Sequence, residues 1–376
     1  TANVAVGNYT LDALTSGDNN TAVGYQALSA NNTGSGNVAI GKDVLDANTT
    51  GADNTGLGHN SLGANTTASN NTGVGHGSLE LNTTGHSNVA VGQAALAANT
   101  TANNNTAVGK SAMTANTTGE ENVALGFAAL DANTTGSQNV ALGRSALTAN
   151  TTASDNIAVG YGAMDSNTTG TRNIAIGNAA YDHSDTENDN MAIGYNAMTE
   201  NTAGGTKNIA IGNYALDALT SGDTNVAVGY DAMTLHTTGA NNVAVGERAL
   251  AASTTGAQNT AIGGTALIAL TTGTGNTALG YASLSVNQSG DDNVAVGIDA
   301  LASNLASDNT AVGKQALNGN TTGATNVAVG HRALENNTTA SSNTAVGDTA
   351  MLTNTTGGGN TAIGREALYY NTTGDR

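Results

Sequence analysis

The sequence has no proline, no cysteine, no tryptophan and a single phenylalanine, and only 10% of its residues are charged. Without cysteine there are no disulfides and no thiolate metal sites, and the redox compartment stays open. Basic residues are scarce, ten Lys and Arg against 28 Asp and Glu, for a net charge of −18. Phosphate recognition needs clustered cations, so nucleic acid is not an expected partner. An acidic balance of this size suits a soluble extracellular surface. Long apolar runs are missing too. No stretch approaches the roughly 18 residues of a membrane helix, and no signal peptide is recognisable, so no membrane span is expected in this segment.

Fifty glycines, together with abundant Asn, Thr and Ser, fill the space that these absences leave. Such a composition also fits disorder, but a disordered chain has no reason to keep a phase. This one keeps it strictly. The stretch Asn-x-Ala-Val-Gly, or a close variant, opens the chain at Asn3-Val4-Ala5-Val6-Gly7 and occurs 22 times in all, ending at Asn360 to Gly364. From Gly to Gly the spacing is 17 residues, except for 18 between Gly194 and Gly212 and 16 between Gly297 and Gly313. A fixed short period over a whole chain is the mark of a solenoid. It overrides the two or three globular domains that 376 residues would otherwise suggest.

With each Gly numbered zero, a large apolar residue stands at +4: Leu in 16 repeats, Met in five and Tyr181 in one. Asn-Thr-Thr-Gly or a relative begins at +7, as in Asn133-Thr134-Thr135-Gly136. The coil therefore reads as strand, tight corner, short strand and Gly-containing turn. Seventeen residues are too few for a helix, a strand and their loops. The expected fold is all-β: a β-solenoid, or β-roll, of about 22 coils with a 17-residue repeat over residues 1–376. Stacked at strand spacing it forms one continuous array on the order of 105 Å long. Because the chain starts and stops inside a repeat, at Thr1 and Arg376, it reads as a segment of a longer fibre. A block that begins at Asn8-Tyr9 and recurs from Asn213-Tyr214, 205 residues on, points the same way.

Strand alternation decides which residues share a face. Position −1 is only Val, Ile or Leu, and −3 is apolar in 13 coils and Thr in nine. Asn, Ala and Gly at −4, −2 and 0 share the opposite face. The first reading makes the −1 and −3 face, joined by Leu at +4, the core of each chain, so that Val159 is buried and Ala158 meets a second chain. The competing reading puts Ala and Gly in a narrow interior, with Val and Leu facing the partner. Both expect a homo-oligomer, because a strand apolar on both faces is normally covered on both.

The Asn at −4 is expected to form a structural amide ladder through Asn3, Asn20, Asn37, Asn54, Asn71, Asn88, Asn105, Asn122, Asn139, Asn156, Asn173, Asn190, Asn208 and Asn225, and onward. The corner glycines, Gly7, Gly24, Gly41, Gly58, Gly75, Gly92 and their equivalents, are expected where positive φ or close packing demands them. Fourteen coils carry an Asn-x-Thr/Ser sequon at +7, among them Asn48, Asn65, Asn82, Asn99 and Asn116. These are candidate glycosylation sites on a secreted chain, or turn chemistry alone. Acids gather just before the ladder Asn, at Asp53, Glu120, Glu121, Asp155, Asp291 and Asp292, for example. Their spacing matches neither the calcium nonapeptide nor an EF-hand. No nucleophile elbow or catalytic triad is present, and no enzyme, cofactor or metal is expected.

The Asn-Val-Ala-Val-Gly and Asn-Ile-Ala-Ile-Gly cores, followed by x-x-Ala, resemble the head repeats of the YadA-like trimeric autotransporter adhesins, and similar repeats occur in phage tail fibres. The resemblance implies a left-handed β-roll, three chains side by side, and an exposed rod at a cell surface or on a virion that sticks to a surface, matrix or glycan. The family's head coils are shorter, and its neck, coiled-coil stalk and C-terminal membrane barrel are not recognisable in these residues. The expected function is thus a structural and adhesive extracellular fibre. The alternative is a ligand-binding solenoid for calcium, ice or glycan, or a viral tail-fibre shaft.

Overall fold

A computed structural model describes residues 2–375, which leaves Thr1 and Arg376 outside the described residues. The chain divides into two compact units, Thr1–Asn188 and Asp189–Arg376. Both are β-solenoids without a helix among the described residues. Unit 1 stacks the strands β1 (Val4–Val6) to β11 (Ile174–Ile176), and unit 2 stacks β12 (Met191–Ile193) to β22 (Thr361–Ile363). Within each unit successive strands pair in parallel and in register, Ile157 with Ile174 and Ala158 with Ala175 in unit 1, Val226 with Val243 and Ala227 with Ala244 in unit 2. Each coil contributes one strand of three residues, and the expected second short strand does not occur among the described residues. The corner after Gly is instead a run of tight turns, still stitched to neighbouring coils by main-chain bonds such as Asn60 N–H to Lys42 O at 3.0 Å and Leu62 N–H to Ser78 O at 2.9 Å.

The faces are the reverse of the first reading. Ala158 at −2 is fully buried, whereas Ile157 at −3 is 38% exposed and Val159 at −1 is half-buried. The same order holds from β2 onward, with Ala22, Ala39, Ala90 and Ala107 at 0% exposure in unit 1 and Ala210, Ala227 and Ala244 in unit 2, whereas all of β1 is exposed. Leu or Met at +4 is inside as expected, and it shares the interior with the Ala column and with Ala at +3. The reason is width. The −2 residue of one coil lies against the +3 residue of the coil before it, and the gap admits little more than a methyl group.

Two exceptions demonstrate this. Gly56 stands at −2 after a coil with Val44 at +3, and a Cβ on Gly56 would lie 2.4 Å from Val44 Cγ1. Gly73 follows a coil with Ser61 at +3, and its Cβ would lie 2.5 Å from Ser61 Oγ. At Val44 and Gly56 the enlarged +3 residue and the missing methyl group compensate one another; serine at +3 also tolerates Ala, as Ser78 does before Ala90 and Ser283 before Ala295. Gly56→Ala should therefore destabilise unit 1 by about 1–3 kcal/mol, the usual range for overpacking. Adding Val44→Ala should recover most of the loss. Thermal melts arranged as a double-mutant cycle test this, and additive losses would contradict the proposed contact.

Turning within so few residues requires left-handed backbone. Positive φ recurs at +2, +4 and −5, as at Ala128 (φ 53°), Leu130 (φ 54°) and Glu121 (φ 59°). L-residues adopt this conformation at a cost of about 1–2 kcal/mol each, so every coil carries local strain that stacking must offset. Gly162 occupies the +2 site in its coil, and a Cβ there would touch nothing within 4 Å. A methyl group at +2 thus contributes strain with little packing in such a coil. Ala128→Gly is expected to raise stability by a few tenths to about 1 kcal/mol, the relief of strain exceeding the entropy cost of glycine. A lowered melting temperature would show that the Ala128 methyl group packs.

Candidate functional site

Two amide ladders run through the interior, one at −4 and one at +7, and in coils that carry both they meet at one carbonyl. In the coil of Gly58, Asn54 at −4 donates from Nδ2 to Ala68 O at 2.8 Å, and Asn65 at +7 donates from Nδ2 to the same oxygen at 3.1 Å. The Oδ1 of Asn54 accepts the main-chain N–H of Asn71 in the next coil at 3.0 Å. The Oδ1 of Asn48 accepts Nδ2–H of Asn65 at 2.9 Å. The first ladder thus ties side chain to backbone, and the second ties side chain to side chain. In unit 1 the −4 column runs from Asn3, whose Nδ2 reaches Gly17 O at 2.9 Å, through Asn20, Asn37, Asn54, Asn71, Asn88, Asn105, Asn122, Asn139 and Asn156 to Asn173. In unit 2, Asn190, Asn208 and Asn225 make the equivalent bonds. From Asn20 on, all of these residues are 2% exposed or less.

The corner glycines satisfy both demands made of them. Gly24 has φ 137°, and a Cβ there would lie 2.1 Å from the Gly41 carbonyl oxygen in the next coil.

The second ladder corrects the sequon reading. Asn48, Asn65, Asn82, Asn99 and Asn116 are each fully buried and each donates to the turn carbonyl three residues on. A glycan on any of them has no room, and its attachment would remove a ladder donor. Sequence reasoning missed this column because Asn-Thr-Thr-Gly also makes good turn chemistry. The repetition of Asn at one phase was the available signal. Where the column departs from Asn, the ladder loses partners: Asn167 Oδ1, followed by Ser184, is buried without one.

The outside is varied. The +1 column stacks His59 on His76 with centroids 5.1 Å apart, and it holds the Arg144 guanidinium over Phe127 at 5.7 Å and over Tyr161 at 5.6 Å. Glu120 and Glu121 are separated by the backbone. Asn103 donates to Glu120 and Gln138 to Glu121, each from a neighbouring coil. Burial pushes the Asp46 carboxyl above its ordinary value, with the Asp43 charge adding to the shift. In unit 2 Tyr214 lies edge-on to both Tyr195 and Tyr230. Its hydroxyl is pushed up by desolvation first and then by those rings and by Asp217 and Asp231. Among the described residues, no three His, Asp or Glu side chains come together as a metal site. Among the same described residues, no helix is long and apolar enough to cross a membrane.

The most extensive surface feature is the outward sheet face. In unit 1 Ile40, Leu57, Val123, Leu125, Ile157 and Ile176 are each more than a third exposed; Ile211, Ile262, Leu279, Val312 and Val329 continue the pattern in unit 2. Some coils also expose an aromatic residue at +1, such as Phe127 and Tyr161. No known protein family matches this chain, and no curated protein matches it at a significant level.

The interior ladder makes a direct prediction. Removing the amide in Asn156→Ala leaves the N–H of Asn173 without its acceptor, whereas Gly170 O keeps the donor Asn167. The expected loss is about 1–3 kcal/mol. Calorimetry of the variant checks it, and an unchanged melt would mean that water replaces the amide.

Proposed function

We propose that the chain is a structural and adhesive extracellular fibre segment that works as a homo-oligomer, with a trimer favoured. The observation that carries this reading is the outward face of Val, Ile, Leu and Thr, which each unit leaves uncovered over its stack of parallel strands. Parallel sheets are ordinarily covered on both faces, and apolar patches on this scale mark interaction surfaces. Further copies of the chain supply a cover with the same repeat distance, and closed rotational symmetry leaves no such face free. Placement at a cell surface or on a virion, and adhesion to a surface, matrix or glycan, rest on the likeness of the Asn-x-Ala-Val-Gly repeats to adhesin heads and tail fibres.

Light scattering at micromolar concentration tests the assembly. The expected species is an oligomer, and a folded, β-rich monomer would overturn the reading. Lysine in place of both Ile157 and Val159 should dissociate the assembly while circular dichroism keeps its β signal, because both side chains face outward. Ala158→Asp should instead unfold the coil, since it buries an unpaired charge at a cost of several kcal/mol, about 3–5 by analogy with broken buried pairs. Oligomers indifferent to the double lysine variant would place the contact on another face.

A further inference from the structure

Four consecutive coils of unit 2 lack the second ladder. Leu219, His236, Ser253 and Leu270 stand in the +7 slot, and all four are fully buried. His236 is thus a titratable ring set into the interior column between an apolar coil and a serine. Its Nε2–H donates to Gly239 O at 2.9 Å, which leaves Nδ1 to accept from Ser253 Oγ–H at 3.2 Å; the Asn242 amide lies 3.4 Å from Nε2. This arrangement satisfies neutral imidazole, with one donor and one acceptor.

We propose that the coils around His236 form an acid-operated weak point at which uptake of one proton loosens the solenoid locally. Protonation turns Nδ1 into a second donor facing Ser253 Oγ, and the serine hydrogen loses its acceptor. The charge then sits in the interior beside Gly239, Ser253 and Asn242, none of which titrates. The ionisable groups of the surrounding coils are Tyr214, Asp217 and Asp223 in the coil before, Tyr230 and Asp231 in its own, and Glu247 and Arg248 in the coil after. All lie at half-buried or exposed positions, and none contributes to the ring's environment. Burial accordingly holds the His236 imidazole below its ordinary value of 6.5, against the opposing pull of Gly239 O.

The sign follows. The folded coil resists the proton that the open coil accepts. Stability is therefore complete above the ordinary value of 6.5 and is lost as pH falls below it, until the folded ring itself titrates. The missing amides at +7 place this loss where the second ladder does not join neighbouring coils. Separation by one proton corresponds to local opening that grows up to about tenfold per pH unit.

Hydrogen exchange of the full chain from about pH 8 to about pH 5 reads this directly, as protection corrected for intrinsic rates over residues 229–256. The expected result is a selective fall in protection there. It should be absent in His236→Asn, which restores the residue that fills the ladder elsewhere. A fall of equal size in His236→Asn, or protection that does not change in the wild type, would overturn the proposal. If that variant does not fold, the NMR titration of the imidazole in the wild-type chain decides: a midpoint below those of the exposed histidines supports the proposal, and one at or above them refutes it.

Discussion

Asn156 donates to the Gly170 carbonyl in its own coil, while its oxygen receives the N–H of Asn173 in the next. One side chain thereby closes a coil upon itself and fixes the height of the next coil above it. The consequences extend to the rest of the fold. An amide lying across the interior brings the strand and the far turn close together, leaving width for Ala at −2 and +3 and for a single larger residue at +4. Close walls require sharp corners, and sharp corners require positive φ at +2, +4 and −5. Gly at zero follows from the same closeness, because the next coil's carbonyl fills the space of a Cβ. A coil in isolation would carry this strain with nothing to offset it, so stability belongs to the stack.

Much of this was legible before any coordinates. The phase, the all-β class, the inward +4 column and the grouping of Asn, Ala and Gly on one face all follow from periodicity. Which face lies inside did not follow. Alternation sorts residues into two sets and says nothing about which set meets water. Hydrophobicity favoured Val and Ile as core, but the relevant quantity was volume. The −2 column never exceeds Ala, and it shrinks to Gly56 and Gly73 where Val44 and Ser61 intrude. An interior must repeat its volume in every coil, whereas an exterior need only repeat its pattern. The second amide ladder escaped notice for a related reason, since Asn followed by Thr-Thr-Gly is also what a turn demands. His236 was equally hidden, as a single residue in a column whose burial had not been recognised.

The outward face carries the opposite message. The −1 column lies outside the interior of the coil, half-buried or exposed, yet it never departs from Val, Ile or Leu across 22 repeats. At +1 the chain accepts Tyr, Lys, His, Arg, Asp and Glu. Strand propensity favours β-branched residues but does not forbid Thr at −1, which the same strands use freely at −3. The proposed contact between copies accounts for this difference between the two outward columns if it lies closer to −1 than to −3.

The two coils that break the 17-residue period show which contact takes precedence. The coil of Gly194 has one residue too many, and its Asn190 and Asn201 still converge on Gly205 O, at 2.9 and 2.8 Å. The coil of Gly297 has one too few, and its Asn293 and Asn304 converge on Ala306 O, at 2.8 and 2.7 Å. Both changes in length fall in the turn between the second Asn and that acceptor. The separation from Asn to carbonyl is three residues in the coil of Gly58 and becomes four and two in these coils. Strand, corner and the −4 to +7 spacing are untouched. If the turn were the fixed element and the ladder its by-product, the added and missing residues would be distributed around the coil and the amides would lose their acceptor. They keep it in both directions of change, so the turn adjusts to the ladder.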